Sequence, residues 1–166
     1  MNRLFLINGA MGVGKTAVSR ELQRLLPRCV FLDGDWCWDT RPFLVTEATK
    51  AAVQDNIVFC LNRFLACPDY ENGVFCWVMH QMPILTELLS RLQPGGCSIY
   101  TVTLICSPEA LTARLQEDIN AGRRLPDVLE RSLSRLPLYR DMPTLHINTS
   151  FCTAAEAAKE ILRKCL

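Results

Sequence analysis

Lysine is scarce in this chain of 166 residues, with four lysines against fourteen arginines. The charges nearly cancel, 18 basic against 17 acidic groups for a net +1, so no global field draws the protein to nucleic acid or to an anionic membrane. Basic–aromatic interleaving is also missing. The phenylalanines and tryptophans fall mostly in apolar runs, which argues against a nucleic-acid surface. No apolar run approaches the ~20 residues that a membrane-spanning helix needs. Leu4 to Ile7 is too short for the apolar region of a signal peptide and runs directly into a glycine-rich loop. Cysteine is plentiful, but the nine residues are an odd number and no pair has CxxC spacing. Cys60, Cys76 and Cys106 sit inside apolar stretches, where a thiol behaves as a small hydrophobe. The expectation is reduced thiols, no structural zinc and a cytoplasmic location.

What is present alternates. Short β-rich runs at Leu4–Ile7, Cys29–Leu32, Val74–Met79, Ser98–Cys106 and Thr144–Ile147 are separated by helical periodicity. Val18, Leu22, Leu25 and Leu26 share one face of a first helix that Pro27 stops. A long helical stretch covers Glu47–Leu65, and Asn72-Gly73 reads as a turn. Further helices are expected over Pro83–Leu92, from an N-cap at Ser107 with Pro108 behind it, over Asp127–Leu136, and over Ala154–Leu162. Continuous apolar strands alternating with helices predict a parallel five-stranded sheet covered on both faces, an α/β/α sandwich in three layers. No linker, repeat or low-complexity tract interrupts the chain, so residues 1–166 read as one domain.

The sharpest signal is GAMGVGKT, residues 9 to 16, which satisfies GxxxxGK[ST] between a buried strand and an amphipathic helix. Gly9, Gly12 and Gly14 allow the backbone to curl its N–H groups inward toward phosphate oxygens. The helix N-terminus adds its partial positive charge. Lys15 is expected to reach the β- and γ-phosphates of ATP, and the Thr16 hydroxyl to ligate Mg²⁺. The predicted nucleotide-binding set is Gly9, Ala10, Met11, Gly12, Val13, Gly14, Lys15, Thr16 and Ala17, with Arg114 and Arg124. A guanine-specific switch would carry NKxD after a strand, whereas the fifth strand leads into Asn148-Thr149-Ser150. A motor of the AAA type would need an apolar run ending in Asp-Glu and a helical lid domain. The third strand ends in His80-Gln81 and the chain is too short for that lid domain. A small P-loop kinase remains.

Two further features agree with that class. The second strand ends in LDGD, which puts Asp33 and Asp35 at the sheet edge where the P-loop opens. Residues i and i+2 of an extended chain point the same way. Asp33 is expected to support Mg²⁺, and Asp35 to accept a proton from a substrate hydroxyl. The alternative is a plain polar turn. Six arginines lie between Arg114 and Arg140 with no lysine among them. Arg123 and Arg124 follow Gly122, and residues at about 120–127 read as a lid whose arginines neutralise charge on the transferred phosphoryl group. The alternative is a solvated helical face, the favoured reading for Arg131, which neighbours Arg135 at i, i+4. Trp36 and Trp38 read either as an aromatic wall for the acceptor or as a cap on the core edge. Arg41 could bind an anionic group. His80 reads as a substrate contact or a structural histidine, and His146 as a core or edge residue.

With GxxxxGKT, the DGD after the second strand and the arginine lid, the chain resembles the shikimate kinase and gluconate kinase group of P-loop kinases. Within it, INGAMGVGKT, VMHQMP and TLICSPEALTARL resemble the tunicamycin-resistance type of ATP-binding protein. The resemblance implies a strand order 2-3-1-4-5, an ATP·Mg²⁺ requirement and an acceptor pocket between the second-strand edge and the lid. It also implies that Arg123 or Arg124 contacts ATP and that Asp35 is the catalytic base. Two functions follow as expectations: phosphoryl transfer from ATP to a hydroxyl of a small molecule (a nucleoside, a sugar or acid, or an antibiotic-like compound), or ATP-dependent sequestration of such a molecule without modifying it. His80 stands where many nucleoside monophosphate kinases carry an acid, and the lid lacks their dense arginine pattern. Both argue against a nucleotide acceptor.

Overall fold

The computed structural model describes all residues from Met1 to Leu166. Five strands, β1 (Arg3–Gly9), β2 (Cys29–Asp33), β3 (Asn72–Cys76), β4 (Ser98–Ile105) and β5 (Leu145–Asn148), form one parallel sheet in the order β2-β3-β1-β4-β5. Six helices cover it: α1 (Lys15–Leu25), α2 (Glu47–Ala66), α3 (Met82–Arg91), α4 (Pro108–Asn120), α5 (Asp127–Arg140) and α6 (Ala154–Cys165). Both the strand order and the three-layer α/β/α arrangement match the expectation. β1 lies at the centre, and Phe5 and Ile7 on it are fully buried, which is why its run carries no polar alternation. Ala157, Ala158 and Ile161 of α6 are buried where that helix packs along α1. Small residues there let the two helices approach closely.

The third strand is displaced from its expected position. Asn72 and Gly73 are the first two residues of β3, paired with Arg3 and Leu4 on one side and with Cys29 and Val30 on the other. Asn72 is buried and donates through Nδ2 to the Pro27 carbonyl oxygen at 2.7 Å. Its amide therefore anchors a strand start and does not make a turn. At the other end the ladder stops at Cys76 although the apolar run continues to Met79. There the buried Asn8 side chain takes over, donating to Met79 O (2.9 Å) and accepting from Met79 N (2.8 Å). A side chain can satisfy main-chain groups where the strand ladder ends, and this one holds Met79 at the end of β1 so that Val78 lines the cleft beside the phosphate loop.

The helix starts fall into distinct groups. Thr46, Ser107 and Thr153 cap α2, α4 and α6 by accepting N–H bonds, and α3 and α5 begin beside Pro83 and Pro126. By contrast, α1 begins at Gly14 with no side-chain cap and no acid in its first turn. Its leading N–H groups and their partial positive charge face the sheet edge.

Candidate functional site

The loop between β1 and α1 is set by close packing as much as by flexibility. A Cβ on Gly12 would lie 2.6 Å from the Leu115 side chain of α4, and the residue has φ +83°. Gly14 has open space around it but adopts φ +103° as the residue that turns the chain into α1. Only glycine takes both positions without strain. Lys15 folds over the loop and donates to the carbonyl oxygens of Gly9 and Ala10, each at 3.0 Å. Burial pulls its pKa below the ordinary lysine value, against the opposing influence of Cys76, Asp35 and Asp33. A single ammonium thus lies against the glycine-rich loop, the arrangement of a phosphate cradle.

Asp33 closes β2 in register with Cys76, so its carboxylate reaches the same edge. The Thr16 hydroxyl donates to Asp33 Oδ2 at 2.8 Å, and Asp33 Oδ1 accepts the N–H of Asp35 at 3.1 Å. The turn Gly34–Trp38 that follows is a single stretch of 3-10 helix. Asp35 is exposed as a residue, yet its carboxyl sits in the mouth of the cleft. Partial burial and the neighbouring Asp33 raise its pKa, while Lys15, Arg124 and the Trp77 indole pull it back. Met11, Lys15, Thr16, Asp33, Asp35, Val78, Asp118 and Arg124 line one cleft of about 190 Å³. Thr16 and Asp33 offer oxygen donors only, and no cluster of three metal-ligating side chains occurs anywhere in the chain. This donor set fits Mg²⁺, which takes one or two protein oxygens and draws the rest from phosphate and water.

The two arginines of the expected lid lie on the turn after α4. Arg123 and Arg124 both donate to Asp118, through Nε to Oδ1 and Nε to Oδ2, each at 2.9 Å. Arg124 lines the phosphate cleft and, together with Arg123, an outer cleft of about 630 Å³ bounded also by Met11, Phe43, Leu125 and Arg131; Arg123 lines only the outer one. Arg114 lies on the opposite side of the loop. Its Nη1 donates to Val13 O (3.3 Å) and to Thr149 Oγ1 (3.2 Å), and Nη2 donates to the Thr149 carbonyl oxygen. With Gly14, Ala17, Thr149, Cys152 and Thr153 it encloses a third recess of about 200 Å³.

A fourth group was hidden in the sequence. Arg135 is half-buried and has no acidic partner, in contrast to the exposed Arg131, which pairs with Asp127 at 3.2 Å. Beside it, the fully buried Tyr139 hydroxyl and His80 Nδ1 have no hydrogen-bond partner. Burial first, and Arg135 second, hold the His80 pKa below the ordinary histidine value. His80 is thus a half-buried residue whose inner nitrogen is unpaired. His146 likewise has Nε2 buried without a partner. The tryptophans divide: Trp36 packs edge-on to Phe31 and beneath Arg20, away from the cleft, whereas Trp38 packs at a tilt against Phe43 and donates to Leu44 O at 3.1 Å. Arg41 is exposed and makes no ion pair.

The P-loop, Asp33, Asp35 and Arg124 therefore meet in one cleft, and Arg114 and Arg123 stand at its flanks. Asp118, Trp77, Thr149, Arg135 and Tyr139 had not been singled out from the sequence. The only prior signal for Arg135 is its i, i+4 spacing to Tyr139, which a buried tyrosine places on the core-facing side of α5.

A family model described as an AAA domain matches residues 6–131. A shikimate kinase of Dehalococcoides mccartyi is 30% identical over 165 residues, covering 96% of this chain and 91% of that protein. Among solved structures, a gluconokinase from Sinorhizobium meliloti superposes with TM-score 0.70 at 19% identity, covering 97% of this chain and 90% of its own. The tunicamycin resistance protein of Deinococcus radiodurans does so with TM-score 0.68 at 21% identity, covering 99% and 96%. A shikimate kinase from Acinetobacter baumannii in complex with shikimate gives TM-score 0.68 at 22% identity, covering 99% and 93%. At those identities the structures speak to the fold, while the family model and the 30% relative speak to descent. The chain belongs to the P-loop family described by the AAA domain model and, within it, to the small P-loop kinases of the shikimate kinase group.

Proposed function

We propose that this kinase transfers the γ-phosphoryl group of ATP·Mg²⁺ to a hydroxyl of a small acceptor that also carries an anionic group. The observation that carries the reading is the convergence of Lys15, Thr16, Asp33, Asp35 and Arg124 on one cleft. Residues Gly9 to Ala17 cradle the phosphates, and Arg114 with the Thr149–Thr153 loop receives the base. Thr16 and Asp33 would hold Mg²⁺, which would offset the charge of the phosphates. Asp35 takes the proton from the acceptor hydroxyl as its oxygen bonds to the γ-phosphorus and the bond to the β–γ bridging oxygen breaks. Its raised pKa makes it a stronger base than an ordinary carboxylate. Lys15 and Arg124 bind the charge that collects on the phosphoryl and leaving-group oxygens. Residues 120–127 act as the lid of a single catalytic domain, working in a reducing cytoplasm.

Arg135 supports the anionic group on the acceptor. Arg135 is half-buried and pairs with no acid, and the Tyr139 hydroxyl and His80 Nδ1 near it lack partners, so a carboxylate would meet a free guanidinium among polar groups that can accept a ligand. The 30% relative, a shikimate kinase, phosphorylates a hydroxy acid by its name, and this agrees. The test is a panel of hydroxy acids, sugars, nucleosides and antibiotics incubated with ATP·Mg²⁺ and read by product mass. A gain of one phosphoryl group on a hydroxy acid, lost in Lys15→Ala and Asp35→Asn, is expected. Retention of a compound without a mass gain would instead establish sequestration.

A further inference from the structure

Asp118 stands in an unusual position for an acid. It lines the phosphate cleft with Lys15, Thr16 and Arg124, where a third carboxylate beside Asp33 and Asp35 opposes an incoming polyanion. It also holds both lid arginines at once, one on each oxygen: Arg123 on Oδ1 and Arg124 on Oδ2, all at 2.9 Å. The main chain closes the same unit, because Arg123 N donates to Asp118 O at 2.9 Å and Gly122 N to Ile119 O at 2.9 Å. The carboxylate is well satisfied, and the two arginines hold its pKa below the ordinary aspartate value.

We propose that Asp118 is a positioning residue that competes with the triphosphate for Arg124. Arg124 gives its Nε–H to Asp118, so the side of its planar fork that includes Nε–H is not open to a phosphate oxygen while that pair holds, and only the Nη–H edge is. In this proposal the triphosphate takes the Nε–H side of the fork, and binding exchanges one anionic partner of Arg124 for another. Arg123, facing the outer cleft, stays on Asp118 and keeps the turn attached to α4 as Arg124 leaves. The lid arginine is held ready and neutralised before nucleotide arrives, and its release is driven by the phosphate charge. This inference rests on the phosphate-loop reading above and adds a competitor to it.

The experiment measures equilibrium binding of a non-hydrolysable ATP analogue with Mg²⁺ to the full chain, to Asp118→Asn, to Arg124→Ala and to the double variant. Removing the competing charge is expected to tighten binding in Asp118→Asn by about three- to fivefold, the scale of a solvent-exposed ion pair. The gain should vanish when Arg124→Ala is also present. A merely structural Asp118 would weaken binding on substitution, and its effect would not depend on Arg124. Asp118→Ser carries the same expectation should the amide variant fail to fold. Binding in the Asp118 variants equal to or weaker than that of the unaltered chain, or a gain that survives Arg124→Ala, would overturn the competition alone. If the unaltered chain does not bind the analogue, both this proposal and the phosphate-loop reading are overturned.

Discussion

The hydroxyl of Thr16 and the carboxylate of Asp33 are joined by a 2.8 Å hydrogen bond that links the first turn of α1 to the last residue of β2. Seventeen positions apart in sequence, the two oxygens become neighbours because β2 and the phosphate loop end on the same sheet edge. A hydroxyl that donates to a carboxylate keeps its lone pairs turned outward, where a hard cation can use them. Thr16→Ser is expected to retain phosphoryl transfer. Thr16→Val, of nearly equal shape, should reduce it by about 10- to 100-fold, the scale seen when partners of a metal site are removed. A Mg²⁺ titration of ATP turnover checks this; an unchanged Mg²⁺ requirement in Thr16→Val would exclude the ligand role.

Asp35 ties stability to pH in a definite direction. Its pKa is higher in the folded chain than in the unfolded one, chiefly through burial and the adjacent Asp33, so the folded state binds the proton more tightly. That stability is fully present below about pH 4, the ordinary aspartate range, and is lost as pH rises through the folded value. Asp35→Asn cannot ionise and should melt higher than the unaltered chain at neutral pH, with the gap closing as pH falls. The same variant should lose transfer while still binding ATP. Thermal melts at several pH values, set beside the acid limb of kcat/KM, test both statements, and equal transfer rates would remove Asp35 from the role of base.

Arg114 offers a third test because its contacts are one-sided. It binds the Val13 carbonyl oxygen of the phosphate loop and both the hydroxyl and the carbonyl of Thr149, and it shares a recess with Cys152 and Thr153. Nothing links it to the acceptor side. Arg114→Ala is expected to raise KM for ATP by about tenfold, the value of a hydrogen bond to a charged group, and to leave KM for the acceptor within about twofold. Steady-state kinetics with each substrate varied in turn separate the two. An equal rise in both constants would mean that Arg114 only supports the loop.

Reading the sequence went furthest where a local rule has one physical solution. GxxxxGK[ST] after a buried strand admits one backbone path, and LDGD at a strand end must fall on the edge where that path opens. It fell short where a partner is distant or where a side chain does the work of a strand. Asn72-Gly73 carries turn chemistry, yet the Pro27 carbonyl oxygen captures Asn72 and makes it a strand start. Val74 to Met79 is apolar throughout, but the ladder ends at Cys76 because Asn8, from another strand, binds Met79. Asp118 precedes Arg123 by five residues and nothing in that spacing marks a carboxylate shared by two guanidinium groups. Arg131 and Arg135 looked alike as neighbours on one helix. Their difference, one paired to Asp127 and exposed and the other half-buried beside Tyr139, depends on how α5 is turned against the sheet.

Gly34 and Trp77 give the last test, one of space alone. Gly34 has no left-handed backbone, so conformation does not demand glycine there. A Cβ at this position would meet Trp77 Cδ1 and Cγ at 2.5 Å and Trp77 Cβ at 2.9 Å. Those atoms lie at the root of a buried side chain and cannot swing aside, so either the indole or the Asp33–Asp35 turn must move. Gly34→Ala should destabilise the fold by about 1–3 kcal/mol, or a fall in Tm of about 2–4 °C for each kcal/mol in a chain of this size. It should also lower kcat, since Asp35 follows directly. Trp77→Ala removes Cγ and Cδ1, the two nearest obstructing atoms, and should reduce the stability cost of Gly34→Ala when the two are combined. A double-mutant cycle on Tm and kcat measures that coupling; additive effects would show that the indole does not fix the turn.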